Sequence, residues 1–142
     1  MGKVIAVCIS ERRGTDKKNI HECEVIKGFG LKNDAHGGDW HRQVSLLSFE
    51  KIEDFKKRGG DVTEGSFGEN IIVSGIDLKN LPVGTKIKIN DVVLEVTQIG
   101  KKCHSHCEIF HRVGDCIMPR EGIFTRVLEG GIIKEGDEVQ IL

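Results

Sequence analysis

The sequence predicts a mainly β protein, and three observations support this class. Glycine makes up 18 of the 142 residues, nearly twice its usual share of about 7%, and most glycines separate short apolar runs rich in Val and Ile. Several runs alternate, as in Ile87 and Ile89 against Lys86 and Lys88, which is typical of half-buried antiparallel strands. Helical spacing of apolar residues is confined to one or two short segments.

Eight segments satisfy the strand criteria in chain order. They are residues 3–9, 22–29, 44–48, 70–73, 85–89, 92–99, 122–128 and 138–142. Asn90-Asp91 predicts a tight hairpin turn between the fifth and sixth of them. Residues 81–89 and 133–141 each place a glycine-centred turn before an alternating strand, which predicts neighbouring positions on the rim of a barrel. A barrel would also hide the sheet edges.

Helix is the minority prediction. Ser48 can cap a helix over residues 49–57, whose large apolar residues share one face, and residues 58–60 contain the glycines that end it. A second short helix is predicted over residues 105–113. Since no linker or low-complexity tract divides the chain, we expect one domain over residues 1–142.

Charge and composition exclude several function classes. The 21 Lys and Arg residues against 22 Asp and Glu residues give a net charge of −1, which argues against binding to nucleic acid or to an anionic membrane surface. No apolar stretch approaches the roughly 18 residues of a membrane helix. An odd number of cysteines, five, and no visible secretory signal in residues 1–10 predict a cytoplasmic protein with reduced thiols.

The densest polar cluster follows the strand predicted at residues 92–99. Three of the five cysteines and three of the six histidines fall within residues 103–116. Lys101, Lys102 and His104 flank Cys103, and positive neighbours favour the nucleophilic thiolate. Residues 101–126 carry five Lys or Arg and three acidic residues, a net charge of +2. By contrast, Cys8 lies in an apolar strand and is expected in the core, while the location of Cys23 stays open.

A metal site is the alternative for the same segment. Cys103, Cys107 and Cys116, with nearby histidines, offer the sulfur and nitrogen ligands that zinc prefers. A structural zinc site usually combines two close pairs of ligands, however, and no second pair is apparent elsewhere in the sequence. The roles of Cys107 and Cys116 therefore stay open.

Two further polar segments are weaker candidates. Gly37 and Gly38 permit backbone conformations that turn amide groups toward an anion, and His36, His41 and Arg42 supply donors and charge. In residues 65–71, Asn70 is placed to hydrogen-bond a neighbouring loop or a ligand. Each segment, taken alone, is better explained as a turn before a strand.

The order and spacing of these motifs resemble the MOSC domain family, which comprises the C-terminal domain of molybdenum cofactor sulfurases and small stand-alone bacterial relatives. The resemblance covers nearly the whole chain. The matching motifs are His36-Gly37-Gly38 with Arg42, Gly68-Glu69-Asn70-Ile71, Leu81-Pro82-Val83-Gly84 before Leu94-Glu95-Val96, Cys103, Gly122-Ile123-Phe124 and Gly136-Asp137.

The resemblance implies a MOSC-like β-barrel with one or two short helices and a role in handling sulfur for the molybdenum cofactor (molybdopterin). It implies that Cys103 carries the sulfur as a persulfide, a sulfurtransferase-type activity, and that a basic surround favours approach of the anionic cofactor. The residues expected at the cofactor are His36, Arg42, Asn70, Lys101, Lys102, His104 and Arg112.

The implied partners are a cysteine desulfurase and a molybdoenzyme, because 142 residues leave no room for a domain that binds pyridoxal phosphate. Two other functions stay open. One is a module that binds and delivers the molybdenum cofactor without a covalent sulfur step. The other is a molybdenum-dependent reductase component for N-hydroxylated compounds.

Overall fold

The computed structural model describes residues 2–12, 17–100 and 121–142. No helix in these ranges is long and apolar enough to cross a membrane. The strands are β1 (Gly2–Ile9), β2 (Lys18–Asn19), β3 (Glu22–Ile26), β4 (Gly30–Leu31), β5 (Val44–Ser48), β6 (Ile71–Ser74), β7 (Lys86–Ile89), β8 (Val92–Ile99), β9 (Ile123–Glu129), β10 (Gly131–Lys134) and β11 (Glu138–Ile141). The helices are α1 (Phe49–Lys57) and a short 3-10 helix, η1 (Leu78–Asn80).

Seven strands close into a barrel in the order β1-β6-β5-β9-β8-β7-β11, and β11 pairs back with β1. All neighbours in this barrel are antiparallel except β5 and β6, which are parallel. The short β2 pairs with the end of β1, while β10, β3 and β4 form a separate three-stranded sheet. The predicted mainly β barrel is confirmed.

Two apolar clusters hold the barrel together. The inner cluster fills the barrel with alternate residues of its strands, including the fully buried Leu46, Ile71 and Leu94. The outer cluster lies between the barrel wall and α1 and includes Leu47 and Ile72. Strands β5 and β6 are therefore covered on both faces, which explains why nearly all their residues are buried. In β7, by contrast, buried and exposed residues alternate.

Helix α1 has the predicted bounds. The Ser48 side chain accepts a hydrogen bond from the Lys51 amide at 3.4 Å and caps its first turn. Ile52 and Phe55 are its buried residues, and the ring of Phe55 meets that of Phe67 edge to face at 5.1 Å between centroids. The second predicted helix, residues 105–113, lies outside the described residues.

The strand predictions are confirmed for the seven barrel strands, but not for the short strands outside the barrel. The hairpin at Asn90 is confirmed, since Ile89 pairs with Val92, and β7 and β11 are neighbours as their similar sequences predict. Strand β3 ends at Ile26 because the Phe29 amide bonds back to the Ile26 carbonyl at 3.0 Å and turns the chain. Three short strands, β2, β4 and β10, are not predicted by the sequence pattern, and the structure places them by pairing with β1 and β3.

Candidate functional site

A buried ion pair lies at the centre of the polar cluster beside the end of β1. The Lys17 ammonium is 2.7 Å from Asp34 Oδ1, and both side chains are at most 1% exposed. Lys17 Nζ also lies 3.2 Å from Ser10 Oγ and 2.9 Å from His36 Nδ1. Burial lowers the pKa of Lys17, and the Asp34 carboxylate opposes that shift. These contacts connect the segment between β1 and β2 with the loop between β4 and β5.

Asn70 supports the ion pair from the opposite side. Its amide nitrogen donates to Asp34 Oδ2 and to the Cys8 carbonyl, both at 3.0 Å. Its amide oxygen accepts from the Ser45 backbone N–H at 2.9 Å and from the Ser45 hydroxyl at 3.2 Å. Of the two roles expected for Asn70, the structure shows the contact with a neighbouring loop. Its role in cofactor binding stays a prediction.

Backbone hydrogen bonds fix the loop that contains Asp34 against the end of β1. The Asp34 amide bonds to the Leu31 carbonyl at 3.1 Å as the chain leaves β4. Ala35 N donates to the Ser10 carbonyl at 2.8 Å, and Ser10 N donates to Asp34 Oδ1 at 3.1 Å. This placement brings His36 next to Lys17.

The outer part of the same loop is an aromatic and cationic stack. The Arg42 guanidinium lies 4.6 Å from the centroid of the Trp40 ring and 5.5 Å from that of Phe124. Trp40 in turn donates from Nε1 to the His36 carbonyl at 2.8 Å. The Arg42 Nε atom is buried and has no hydrogen-bond partner within residues 2–12, 17–100 and 121–142. The two rings therefore hold the guanidinium in place while its Nε–H has no acceptor among the described residues. Guanidinium N–H groups are good donors to anionic oxygens.

His41 connects this loop with the end of β8. Its Nε2 lies 2.8 Å from Gln98 Oε1, and Gln98 Nε2 donates to the Gly100 carbonyl at 2.8 Å. Gly100 N donates to the Gly122 carbonyl at 2.7 Å, so the described chain leaves β8 and re-enters β9 at adjacent points. The structure thus places the loop containing His36 and Arg42 near the point from which the chain runs on to residue 101.

The remaining predicted site residues lie outside the described residues. They are Lys101, Lys102, Cys103, His104, Cys107, Arg112 and Cys116. Their roles in nucleophilic, cofactor and metal chemistry stay predictions. In the described ranges, no group of three or more His, Cys, Asp or Glu side chains is arranged to hold a metal ion.

An open cavity of about 520 Å³ lies beside the Trp40–Arg42 loop. Trp40, His41 and Thr97 line one part of it, and Lys27 and Arg126 supply positive charge on another. Arg126 is already paired with Glu95 at 2.7 Å. The cavity, which Asp39 also lines, is large enough to accommodate part of a small molecule.

The two described cysteines are buried and free of disulfides. Cys8 is fully buried, as predicted, and burial raises the pKa of its thiol far above the ordinary value. Cys23 is 9% exposed, and its Sγ contacts the Glu24 and Lys32 carbonyls. Burial likewise raises its pKa. Neither thiol is suited to nucleophilic chemistry near neutral pH, because both are held as the protonated form.

Within the described part of the chain, three charged residues are buried without any indication from the sequence: Lys17, its ion-pair partner Asp34, and Glu69. Glu69 is fully buried, and its carboxylate accepts from the amides of Gly65 and Phe67 at 3.0 Å each. Burial raises the pKa of Glu69 to about 7, although these backbone donors oppose the shift. No local pattern distinguishes these three residues from exposed charges, although Glu69 lies within the motif of residues 68–71.

The Glu69 pKa predicts a pH-dependent stability. The folded-state pKa of about 7 exceeds the ordinary value of 4.5, so the folded state binds the proton more tightly than the unfolded state. The stabilisation is complete below about pH 4.5 and is lost as the pH rises through about 7. Relative to Glu69→Gln, the wild-type free energy of unfolding should fall across this interval by on the order of 3 kcal/mol, measured by urea unfolding.

Glu64→Gln is the matched control, because Glu64 is exposed in the same loop. This variant should keep the pH dependence of the wild type. A Glu69→Gln protein whose stability changes with pH as the wild type does would contradict the assignment.

In the described ranges, a closed seven-stranded barrel with a polar loop near the end of β8 and one covering helix defines a β-barrel domain. Residues 32–140 match the family model for the MOSC domain. The chain therefore belongs to the MOSC domain family, which is associated with molybdenum cofactor sulfurases and related proteins.

Known relatives agree with this assignment. The chain is 24% identical over 149 residues to the uncharacterized protein YflK of Bacillus subtilis (strain 168), an alignment that covers 99% of this chain and 66% of YflK. The chain thus spans just under two thirds of that relative.

Among solved structures, YuaD of Bacillus subtilis superposes with a TM-score of 0.80 at 21% identity, covering 99% of this chain and 96% of YuaD. YiiM of Geobacillus stearothermophilus gives a TM-score of 0.74 at 17% identity, and the superposition covers 100% of this chain and 75% of YiiM. These likenesses establish the fold.

Proposed function

We propose that this protein carries sulfur for the molybdenum cofactor as a persulfide on Cys103. The observation that supports this proposal is the burial of Cys8 and Cys23, whose raised pKa values leave them protonated. A persulfide carrier needs an accessible thiolate, so the reactive thiol would come from Cys103, Cys107 or Cys116. Cys103 is the best candidate of the three because it directly follows Lys101 and Lys102.

The sulfur enters by thiol–persulfide exchange. The Cys103 thiolate attacks the terminal sulfur of a persulfide on a cysteine desulfurase, a new S–S bond forms at Cys103, and the donor S–S bond breaks. The donor cysteine leaves as a thiolate, so the step needs no external oxidant or reductant. The desulfurase supplies the pyridoxal phosphate chemistry, and a molybdoenzyme is the proposed recipient of the sulfurated cofactor.

His36 and Arg42 are the described residues proposed to hold the cofactor. The buried Nε of Arg42, which has no hydrogen-bond partner among the described residues, fits an anionic group such as the phosphate of molybdopterin. When bound, the cofactor supplies the metal centre that takes up the sulfur. The contact of His41 with Gln98, close to the end of β8, supports a single site formed by this loop and the segment containing Cys103.

Cys103→Ser should abolish sulfur uptake from a cysteine desulfurase supplied with cysteine, because serine cannot form a persulfide. Intact-mass analysis of protein purified without oxygen measures the added sulfur, and metal analysis of the same sample detects zinc and molybdenum. Cys23→Ser is the control and should take up sulfur as the wild type does, since Cys23 is buried.

Unchanged uptake by Cys103→Ser would reject Cys103 as the carrier. Bound cofactor with no sulfur on any cysteine would reject the carrier function and indicate a delivery module instead. Reduction of N-hydroxylated compounds by the cofactor-loaded wild type, without sulfur uptake, would indicate a reductase component.

A further inference from the structure

We propose that Lys17 is a positioning residue that fixes His36 as the neutral tautomer protonated on Nε2. The proposal concerns a buried cation that the sulfur-carrier chemistry does not use. It deepens the proposed function, on which it rests for the role of this site.

The geometry around Lys17 Nζ carries the argument. An ammonium group has three N–H bonds, and three acceptors lie within hydrogen-bond distance: Asp34 Oδ1 at 2.7 Å, His36 Nδ1 at 2.9 Å and Ser10 Oγ at 3.2 Å. Each donor therefore has one acceptor. The Lys17 side chain is 1% exposed, so solvent does not offer an alternative arrangement.

The charge of Lys17 follows from its partners. Asp34 is fully buried with its carboxylate against Nζ, and its other oxygen accepts from the Asn70 amide. A buried carboxylate needs a nearby cation, which the ammonium supplies. An ammonium can only donate, so the nitrogen of His36 that faces it must accept.

His36 Nδ1 therefore carries no proton, and the proton of the neutral ring is on Nε2. Protonating Nδ1 would place an N–H and a positive charge directly against the Lys17 ammonium. His36 is thus neutral and does not add a second cation to the site. In the proposed function, Arg42 supplies the positive charge at the cofactor.

Long-range nitrogen–proton NMR spectra of wild-type protein labelled with ¹⁵N on Lys and His test the proposal directly. Near neutral pH, the His36 signals should show an unprotonated Nδ1 and a protonated Nε2, and Lys17 Nζ should give an ammonium signal. His36→Gln, which removes one set of signals, assigns the residue. A protonated Nδ1 on His36 or a neutral Lys17 amine would overturn the proposal, and this test needs no destabilised variant.

Lys17→Met tests whether the Lys17 ammonium is the cause of the single His36 tautomer. In the folded variant, the His36 nitrogen signals should become averages over the two neutral tautomers. The control Lys32→Met, which changes an exposed lysine, should leave the His36 signals unchanged. Unchanged His36 signals in folded Lys17→Met would also overturn the proposal. Neither spectrum depends on sulfur uptake, so failure here is distinguishable from failure of the Cys103 assignment.

Discussion

Replacing Lys17 by Met should destabilise the protein by about 3–5 kcal/mol, one of the two largest effects expected for a single substitution here. The variant leaves the Asp34 carboxylate fully buried without its cation, while the two remaining polar contacts, from Asn70 and from the Ser10 amide, are neutral. Urea unfolding near neutral pH, followed by circular dichroism, measures the loss.

Lys32→Met is the matched control. The Lys32 ammonium lies 3.9 Å from Glu24, but both side chains are more than half exposed, so the loss should stay below about 1 kcal/mol. Combining Lys17→Met with Asp34→Leu should recover part of the loss, because the uncompensated charge is removed as well. Equal destabilisation by Lys17→Met and Lys32→Met would show that the buried pair is not a principal source of stability.

Gly65→Ala should destabilise the protein by about 3 kcal/mol or more. Gly65 has a φ of +87°, and a Cβ atom there would lie 1.9 Å from the Lys17 carbonyl oxygen, which is backbone and cannot move aside alone. The cost combines a left-handed conformation with a steric overlap. Since Lys17 N donates to the Gly65 carbonyl at 2.8 Å, the shift would also displace the residue that contacts Asp34 and His36.

Gly59→Ala separates these two contributions. Gly59 has a similar φ of +96°, but a Cβ atom there would meet nothing within 4 Å. Gly59→Ala should therefore lower the free energy of unfolding only by the cost of the left-handed conformation, roughly 1–2 kcal/mol. Thermal or urea unfolding of both variants measures the difference, and equal losses would rule out the close approach of Gly65 to Lys17 as the cause.

The two predictions concern the same junction. Lys17 contacts the loop of Asp34 and His36 through its side chain and the loop of Gly65 through its backbone. Glu69, four residues after Gly65, accepts the Gly65 amide at 3.0 Å. The polar cluster beside the candidate site and the glycine-rich loop before β6 should therefore lose order together.

Local patterns were sufficient to predict the barrel strands and helix α1. Val92–Ile99 and Val44–Ser48 have the predicted bounds, as does Phe49–Lys57, because alternation and helical spacing record which face of each segment is buried. The burial of Cys8 was predictable for the same reason. The short strands β2 and β10 were not, since their residues are placed by pairing with β1 and β3.

The candidate site was predicted only in part. The loop containing His36 and Arg42 was identified from its glycines and donors, and Asn70 from its position before a strand. The hydrogen-bond partners of these residues were not predicted. Asn70 bonds to Asp34, 36 positions away in sequence, and His41 contacts Gln98, 57 positions away. Charged residues are exposed by default, so a sequence gives no signal that one of them is paired in the interior.

The sequence by itself determined that this protein is a β-barrel of the MOSC type and where its polar segments lie, because strand periodicity and turn residues act over a few positions. Only the tertiary structure decided that Lys17 and Asp34 form a buried ion pair against His36, and that Cys23 as well as Cys8 is buried. These properties depend on which distant segments the closed barrel brings together, and no local pattern contains that information.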